Sequence, residues 1–313
     1  MRPELRSRLV FGFTMGGVVI FALASDVVRQ SHLAVLLLGI FGVLLGCGEF
    51  ARLARVQATE VQIVPMMVVS VLLVLVGHLT GELSSSAPAY SARFLDSIDR
   101  LLMTKPLTTL ILGLGLAWVM LAQMFHHATT RFFSNVGATV LGMVYMGVIF
   151  HLLQRLALLE GTAEYYGSGA DYAGRGGQLV MLFLASCKLG DVTAYFGGRA
   201  FGRHKMVPKI SPAKTWEGFA FSFVGAIGGA YLFSWLFTIY FPHGPFNGWW
   251  QPLVWGLVLG PFGVAGDLAE SCMKRDAAVK DSGSSLGGFG GFLDIYDALV
   301  LAAPVAYLLA LVL

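Results

Sequence analysis

The sequence predicts an α-helical bundle that crosses a membrane many times. Of its 313 residues, 56% are hydrophobic and only 12% are charged, and the mean hydropathy is +0.73. Soluble domains carry about a quarter charged residues, so a water-soluble enzyme is not expected. The net charge of only +3 argues against a disordered polyelectrolyte. The apolar residues also gather in runs of roughly 20, the length of helix that crosses the hydrocarbon core with every backbone group bonded.

Nine segments are long and apolar enough to span a membrane. They lie at about residues 9–25, 31–48, 62–80, 107–125, 134–153, 177–198, 218–241, 249–266 and 294–313. No alternating pattern typical of a β-barrel competes with them. The first segment follows several arginines and imitates a signal peptide, and we treat it as an uncleaved span. We divide the chain into an N-terminal region of about five spans, residues 1–176, and a C-terminal region of about four, residues 177–313, which holds the concentrated polar residues.

The basic residues predict that the N-terminus is cytoplasmic and the C-terminus is on the other side. With this orientation 14 of the 21 Lys and Arg residues face the cytoplasm, six face the opposite side and Lys188 lies within a span. The cytoplasmic loops that carry concentrated polar chemistry are residues 199–217 and 267–293. Since the positive charge is sorted among loops, nucleic-acid binding is not expected.

The three cysteines predict neither a disulfide framework nor a structural zinc site. Cys47, Cys187 and Cys272 lie inside or beside apolar runs, and no CxxC spacing occurs.

Two charged residues lie inside the sixth predicted span, where Lys188 and Asp191 are three residues apart on one helical face. Such a pair either packs two helices or serves a site, and we favour the site because intramembrane charges are costly.

The loop after this span is suited to anionic groups. Residues 197–218 hold five cations, four glycines and two prolines, and Lys and Arg are the usual partners of phosphate oxygens. An ordinary positive-inside loop that attracts anionic lipids is the alternative. No GxxxxGK[ST] motif occurs, so a P-loop ATPase is not indicated. The candidate binding residues here are Arg199, Lys205, Lys209, Ser211, Lys214 and Thr215.

The loop between the last two spans has acids at both membrane ends with cations and glycines between them. Asp267, Glu270 and Lys274 share one helical face, and Glu270 can pair with Lys274. Mg²⁺ prefers oxygen ligands, typically one or two carboxylates plus substrate phosphates, and glycines let backbone N–H groups approach phosphate. Solvated caps and a flexible linker are the alternatives. The candidate metal ligands are Asp267, Asp294, Asp297 and Asp191, and the added phosphate ligands are Lys274, Arg275 and Lys280.

At these residues the sequence resembles the phosphatidate cytidylyltransferase family, the CDP-diacylglycerol synthases. The family signature has the form S-x-x-K-R-x4-K-D-x-G, then a glycine-rich turn with H-G-G, then D-R-x-D. The matching positions are Ser271, Lys274, Arg275, Lys280, Asp281, Gly283, Gly290, Gly291, Asp294 and Asp297, and the loop from Asp191 to Gly218 matches as well. The resemblance covers about residues 188–300. Two departures are Phe289 and Ile295, where the family has His and Arg, so a divergent paralogue with altered substrate is an alternative.

The resemblance implies that CTP and phosphatidic acid react to give CDP-diacylglycerol and pyrophosphate. It implies Mg²⁺ on Asp267 and Asp294, supported by Asp191 or Asp297, and catalytic roles for Lys214, Lys280 and Asp281. The lipid phosphate is already anionic, so no general base is required. The expected partners are CTP, phosphatidic acid, the bilayer and a second copy of the chain, and the expected location is a bacterial plasma membrane with a cytoplasmic active site.

Two further functions compete with this one. A transporter could use the same basic loops to hold an anionic lipid, but it would leave the Lys-Asp-x-Gly and Asp-x-x-Asp spacings unexplained. A CTP-dependent kinase of lipid alcohols would release CDP instead of pyrophosphate.

Overall fold

The computed structural model describes residues 17–28, 32–56, 59–85, 105–126, 130–159, 175–241, 244–283, 285 and 290–313. Within these ranges nearly all regular structure is helical, as predicted. The helices are α1 (Gly17–Val28), α2 (Leu33–Val56), α3 (Ile63–Ser85), α4 (Lys105–His126), α5 (Phe132–Gly142), a π-helix (Met143–Val148), α6 (Ile149–Ala157), α7 (Arg175–Phe201), α8 (Trp216–Tyr240), α9 (Gln251–Asp276) and α10 (Leu293–Val312).

Eight of the nine predicted spans are confirmed as helices of spanning length and apolarity among the described residues. The run Phe132–Ala157 counts as one of them, because α5, the π-helix and α6 are continuous. The predicted segment at about residues 9–25 begins outside the described residues, and its second part forms the shorter apolar helix α1. The chain is therefore an integral membrane protein built as a helical bundle.

Helix α9 extends further than the predicted span at residues 249–266. It continues to Asp276, so the first third of the predicted loop at residues 267–293 is helical. The helix can continue through these polar residues because they pair on one face. The predicted ion pair between Glu270 and Lys274 is confirmed. Helix α10 begins at Leu293, so Asp294 and Asp297 lie in its first turns, as predicted.

Helices α7 and α8 approach closely through small residues. A Cβ atom added to Gly225 would meet the Leu189 carbonyl and the Thr193 hydroxyl of α7. Because no side chain intervenes, Thr193 Oγ1 reaches across and donates to the carbonyl oxygen of Phe221 at 2.8 Å. Small residues and hydroxyl groups are the usual means by which membrane helices pack.

The N-terminal and C-terminal regions share one hydrophobic core. Phe150 of α6 stacks on Tyr296 of α10 with ring centroids 4.5 Å apart, and Phe292 lies beside both rings. Buried residues of this core extend from Leu23 to Leu313. The first turns of α10 are consequently held by helices of both regions. The division at residues 176 and 177 stays a prediction.

A short β-hairpin lies between α7 and α8. Its strands are β1 (Lys205–Val207) and β2 (Ser211–Thr215), which pair antiparallel with Lys205 opposite Thr215. The two prolines and the dense positive charge of this segment disfavour helix. Thr215 then caps α8 by accepting a bond from the Gly218 N–H at 3.1 Å. The hairpin is thereby fixed at the end of two membrane helices.

Candidate active site

A cavity of about 650 Å³ lies between α7, the hairpin, the start of α8 and the middle of α9. Its size is typical of a small-molecule site. Its lining is mostly apolar but contains, besides Tyr195, two carboxylates, three cations and two aliphatic hydroxyls. These polar residues are Asp191, Arg199, Lys205, Ser211, Lys214, Thr215 and Asp267. All seven were predicted from the sequence as site residues, and the structure places them around one space.

Lys214 and Asp267 form the central ion pair of this cavity. Lys214 Nζ lies 2.8 Å from Asp267 Oδ2 and donates to the carbonyl oxygen of Val264 at 3.2 Å. The other carboxylate oxygen, Oδ1, accepts from Ser271 Oγ at 3.3 Å. The side chains are 20% and 31% exposed. The pair therefore joins β2 to α9 and still presents charge to the cavity.

Asp191 is the second carboxylate of the cavity and stands next to Lys188. Lys188 Nζ lies 3.6 Å from Asp191 Oδ2 and 3.9 Å from Asp297 Oδ1. It also donates to the carbonyl oxygen of Ile295 at 2.6 Å. The predicted Lys188–Asp191 pair is thus present, and it additionally connects α7 to the first turns of α10.

Asp294 and Lys274 lie outside the cavity lining and organise the neighbouring loop. Lys274 Nζ donates to Asp294 Oδ1 at 2.7 Å and also pairs with Glu270. Asp294 Oδ2 accepts the Gly291 N–H at 2.7 Å, and it accepts both the N–H and the hydroxyl of Ser282 at 3.0 and 2.9 Å. Both oxygens of Asp294 are therefore engaged by the protein itself.

The remaining predicted residues lie around the edges of the site. Arg275 ties α9 to the hairpin by donating to the Ile210 carbonyl at 3.2 Å, and Asp297 is largely buried on α10. Three others are exposed in turns that do not line the cavity: Lys209, Lys280 and Asp281. Phe289 lies outside the described residues. Whether these residues take part in binding or catalysis stays a prediction.

Among the cations of the cavity, Arg199 is held by its own helix. Its Nη1 donates to the hydroxyl of Tyr195 at 3.1 Å, and both side chains line the cavity.

His204 precedes the hairpin, and its Nδ1 lies only 2.6 Å from Glu217 Oε1. Glu217 lies in the first turn of α8, so this contact fastens the start of the hairpin to that helix. His204 does not line the cavity.

The cavity offers two protein carboxylates to the predicted magnesium ion, fewer than a complete ligand set. In the part of the chain that the structure describes, no three His, Cys, Asp or Glu side chains lie together so that they could hold an ion. Mg²⁺ nevertheless needs only one or two protein carboxylates, because waters and substrate phosphates complete its shell. Asp191 and Asp267 meet that need because both line the cavity, whereas Asp294 lies outside its lining and is bonded within the neighbouring segment.

Sequence reasoning missed Glu49 of α2. The predicted second span ended at residue 48, so Glu49 read as the first residue of a loop, but α2 continues to Val56 and Glu49 is completely buried. It accepts the N–H groups of Phe292 and Leu293 at the start of α10. The available signal was a lone acid at the end of an apolar run, which by itself does not reveal partners 243 and 244 residues away.

Comparison with known proteins relates the whole chain to one family. A family model described as "Cytidylyltransferase family" matches residues 6–313. Among curated proteins, the chain is 40% identical over 134 residues to "Uncharacterized protein YnbB" of Escherichia coli, which is 42% of this chain and 43% of that protein. It is 39% identical over 134 residues to a phosphatidate cytidylyltransferase of Aquifex aeolicus, covering 42% and 46%. It is 35% identical over 179 residues to that of Bacillus subtilis, covering 56% and 59%.

The chain thus spans about half the length of the curated relatives that it matches. The family model, in contrast, covers nearly all of it, including the N-terminal helices that the motifs do not reach. The resemblance predicted from the polar loops is confirmed, and this chain belongs to the Cytidylyltransferase family.

Proposed function

We propose that this protein transfers the cytidylyl group of CTP to phosphatidic acid and forms CDP-diacylglycerol and pyrophosphate. The observation that carries the proposal is the cavity in which Asp191 and Asp267 face Arg199, Lys205 and Lys214. Family membership and the printed names of the relatives from Aquifex aeolicus and Bacillus subtilis support it.

The charges of the cavity suit two phosphate-bearing substrates. Arg199, Lys205 and Lys214 supply three cations, and the hydroxyls of Ser211 and Thr215 add hydrogen-bonding groups. Since both substrates are anionic, binding them side by side requires this excess of positive charge. The cavity lies at the ends of α7 and α8, so a lipid can keep its acyl chains in the bilayer while its phosphate enters.

The proposed reaction needs little covalent chemistry from the protein. A phosphate oxygen of phosphatidic acid attacks the α-phosphorus of CTP, and the bond from that phosphorus to the oxygen shared with the β-phosphorus breaks. The electron pair leaves with pyrophosphate, and no proton has to be removed from the nucleophile. Lys214 is suited to hold the charge that develops on the phosphates, because Asp267 and the Val264 carbonyl fix its ammonium group.

A bound Mg²⁺ would supply electrophilic neutralisation of the phosphate oxygens. We propose that Asp191 and Asp267 hold it, because both line the cavity. Asp294 and Asp297, which the sequence also nominated, are proposed to support the site from α10, where Asp294 orders the loop and Asp297 lies near Lys188.

We further propose that the cavity opens to the cytoplasm of a bacterial plasma membrane. The asymmetry of Lys and Arg supports this orientation, as does the need for cytoplasmic CTP. A dimer of two copies of the chain remains a prediction.

The test uses detergent-purified protein with phosphatidic acid, CTP labelled in its cytidine, and Mg²⁺. We expect labelled lipid and pyrophosphate in equal amounts, and no product after EDTA is added. Asp267→Asn should lower turnover by about 100-fold. Asp276→Asn, a matched change at the exposed end of the same helix, should leave turnover within about twofold.

Three results would contradict the proposal. Release of CDP without pyrophosphate would indicate a lipid kinase. Movement of labelled phosphatidic acid across vesicles without any nucleotide product would indicate a transporter. Near-normal turnover of folded Asp267→Asn protein would remove the proposed metal ligand.

A further inference from the structure

We infer that Glu49 is a positioning residue for the proposed reaction, on which this inference rests. It lies on α2, in the half of the chain that the motifs do not reach, and does not line the cavity. Its role is to fix the loop before α10 and the first turn of α10. Through the Ile295 carbonyl, the first turn of α10 holds Lys188 beside Asp191, a carboxylate of the cavity.

The carboxylate of Glu49 is completely buried and receives four hydrogen bonds from one segment. Its Oε1 accepts the Phe292 N–H at 2.9 Å and the hydroxyl of Ser285. Its Oε2 accepts the Leu293 N–H at 3.0 Å and, at 3.2 Å, the hydroxyl proton of Ser282, which it shares with Asp294. A buried carboxylate is costly unless it is bonded in this way. If the segment moved away, the carboxylate would lose these four donors and keep only the Arg52 guanidinium of its own helix, 3.9 Å from Oε1.

The bonds from the Phe292 and Leu293 N–H groups show how Glu49 fixes the position of the start of α10. The first N–H groups of a helix have no partner within the helix, and a negative charge is favoured beside them. A helix is usually capped by its own preceding residue, but here the acceptor comes from a different helix. The cap thus sets where α10 begins relative to α2.

Two short connections lead from this anchor to the candidate site. In the first turn of α10, the Ile295 carbonyl accepts Lys188 Nζ at 2.6 Å, and Lys188 lies 3.6 Å from Asp191. In the loop, the Ser282 hydroxyl lies between Glu49 Oε2 and Asp294 Oδ2, at 3.2 and 2.9 Å. A shift of the anchored segment would therefore move Lys188 and Asp294 together.

The backbone at Gly283 lies close to the carboxylate. A Cβ atom added to Gly283 would lie 2.9 Å from Glu49 Oε1, which is too close for a bonded, buried oxygen that cannot turn away. Gly283 thus offers a second way to disturb the anchor while Glu49 itself is kept.

The experiment compares Glu49→Gln with the wild type. The amide of Gln has the same shape but only one acceptor oxygen, so at least one of the Phe292 and Leu293 N–H groups loses its partner. We expect faster hydrogen–deuterium exchange at these two amides. We also expect kcat to fall about tenfold or more while the KM values for CTP and phosphatidic acid stay within about twofold.

The matched control is Gln154→Met. Gln154 is also completely buried, and its Nε2 donates to the Val35 carbonyl of α2 at 2.8 Å. This change removes a buried hydrogen bond to the same helix without touching the loop. It should lower thermal stability but leave the exchange of Phe292 and Leu293 and the kcat of folded protein unchanged. If Glu49→Gln does not yield folded protein, Gly283→Ala should reproduce its effects on exchange and kcat.

Unchanged exchange at Phe292 and Leu293 would overturn the anchor. Faster exchange with wild-type kcat would overturn the positioning role and leave Glu49 as a structural cap. A wild-type protein that forms no CDP-diacylglycerol would contradict the proposed function and the catalytic part of this inference, whereas the exchange rates would still decide whether Glu49 holds α10.

Discussion

Each of three lysines in the candidate site approaches a carboxylate on a different element. Lys214 of β2 pairs with Asp267 of α9, Lys274 of α9 pairs with Asp294 of α10, and Lys188 of α7 lies 3.9 Å from Asp297 of α10. Such pairs offset part of the cost of placing charges at membrane depth. They also fix the relative positions of the elements that surround the cavity.

The first prediction concerns Lys214, whose ammonium group faces both Asp267 and the cavity. Lys214→Met keeps the length of the side chain but removes its charge, so kcat for CDP-diacylglycerol formation should fall by about 100-fold. Arg203→Met, which removes an exposed cation at the start of the hairpin, is the control and should keep kcat within about twofold. Comparable losses in both variants would show that the overall positive charge matters and not the position of Lys214.

The second prediction concerns the stability of the pair between Glu270 and Lys274. Glu270 is completely buried and Lys274 is 12% exposed. Lys274→Met leaves Glu270 without its cation and should reduce the free energy of unfolding by about 3 kcal/mol. Titration with SDS in mixed micelles measures this loss. Adding Glu270→Gln should restore part of it, and a double variant less stable than Lys274→Met would contradict the assignment.

The positions of glycines decide how closely helices α7 and α8 pack. Gly225 faces the Leu189 carbonyl and Thr193, whereas Gly228, three residues further along α8, has open space around it. Both positions are glycines of the same helix, so the sequence alone does not show which of them lies at the contact with α7. The close approach at Gly225 matters for the site because α7 carries Asp191 and Arg199 and α8 follows directly from the hairpin.

The third prediction compares Gly225→Ala with Gly228→Ala. At Gly225 the new methyl group meets backbone, so the helices must separate and stability should fall by about 1–3 kcal/mol. At Gly228 the methyl group meets nothing within 4 Å, and the change should be neutral or stabilising by up to about 1 kcal/mol. Thermal unfolding in detergent checks both values. Equal effects would show that α7 and α8 do not pack through Gly225.

Across the described residues, eight helical spans and one core unite the two regions of the chain. The cavity lies near one end of the bundle, where the hairpin connects α7 to α8. The segment after α8 lies at the other end of that helix. The orientation in the membrane therefore decides whether the cavity can receive cytoplasmic CTP.

The fourth prediction tests this orientation by labelling single cysteines. In a background without native cysteines, Arg203→Cys precedes α8 and Asn247→Cys follows it, and both positions are exposed. Because Lys and Arg collect on the cytoplasmic side, a membrane-impermeant maleimide should label Asn247→Cys in intact cells and Arg203→Cys only after lysis. The reverse result would contradict the orientation and place the cavity away from CTP.

The predictable part of the site consists of residues close together in the chain. Arg199, Lys205, Ser211, Lys214 and Thr215 come from one segment, so their charge and hydroxyl pattern was visible as a cluster. The pairing of Glu270 with Lys274 follows from helical spacing. In contrast, no local pattern shows that Lys214 meets Asp267 and not another acid. The contact depends on how the hairpin folds over α9.

The class of the protein could be predicted from its apolar runs, because runs of spanning length leave the backbone no option but helix in a bilayer. The sequence also determined the family, through the spacing of charged residues and glycines in two polar loops. Which acids share a cavity is visible only in the folded bundle, where Asp191 lies with Asp267 and Asp294 is bonded to Gly291. Likewise, only the structure brought Glu49 to the start of α10. The physical reason is that helical periodicity fixes neighbours within one helix, whereas contacts between helices depend on packing across the whole bundle.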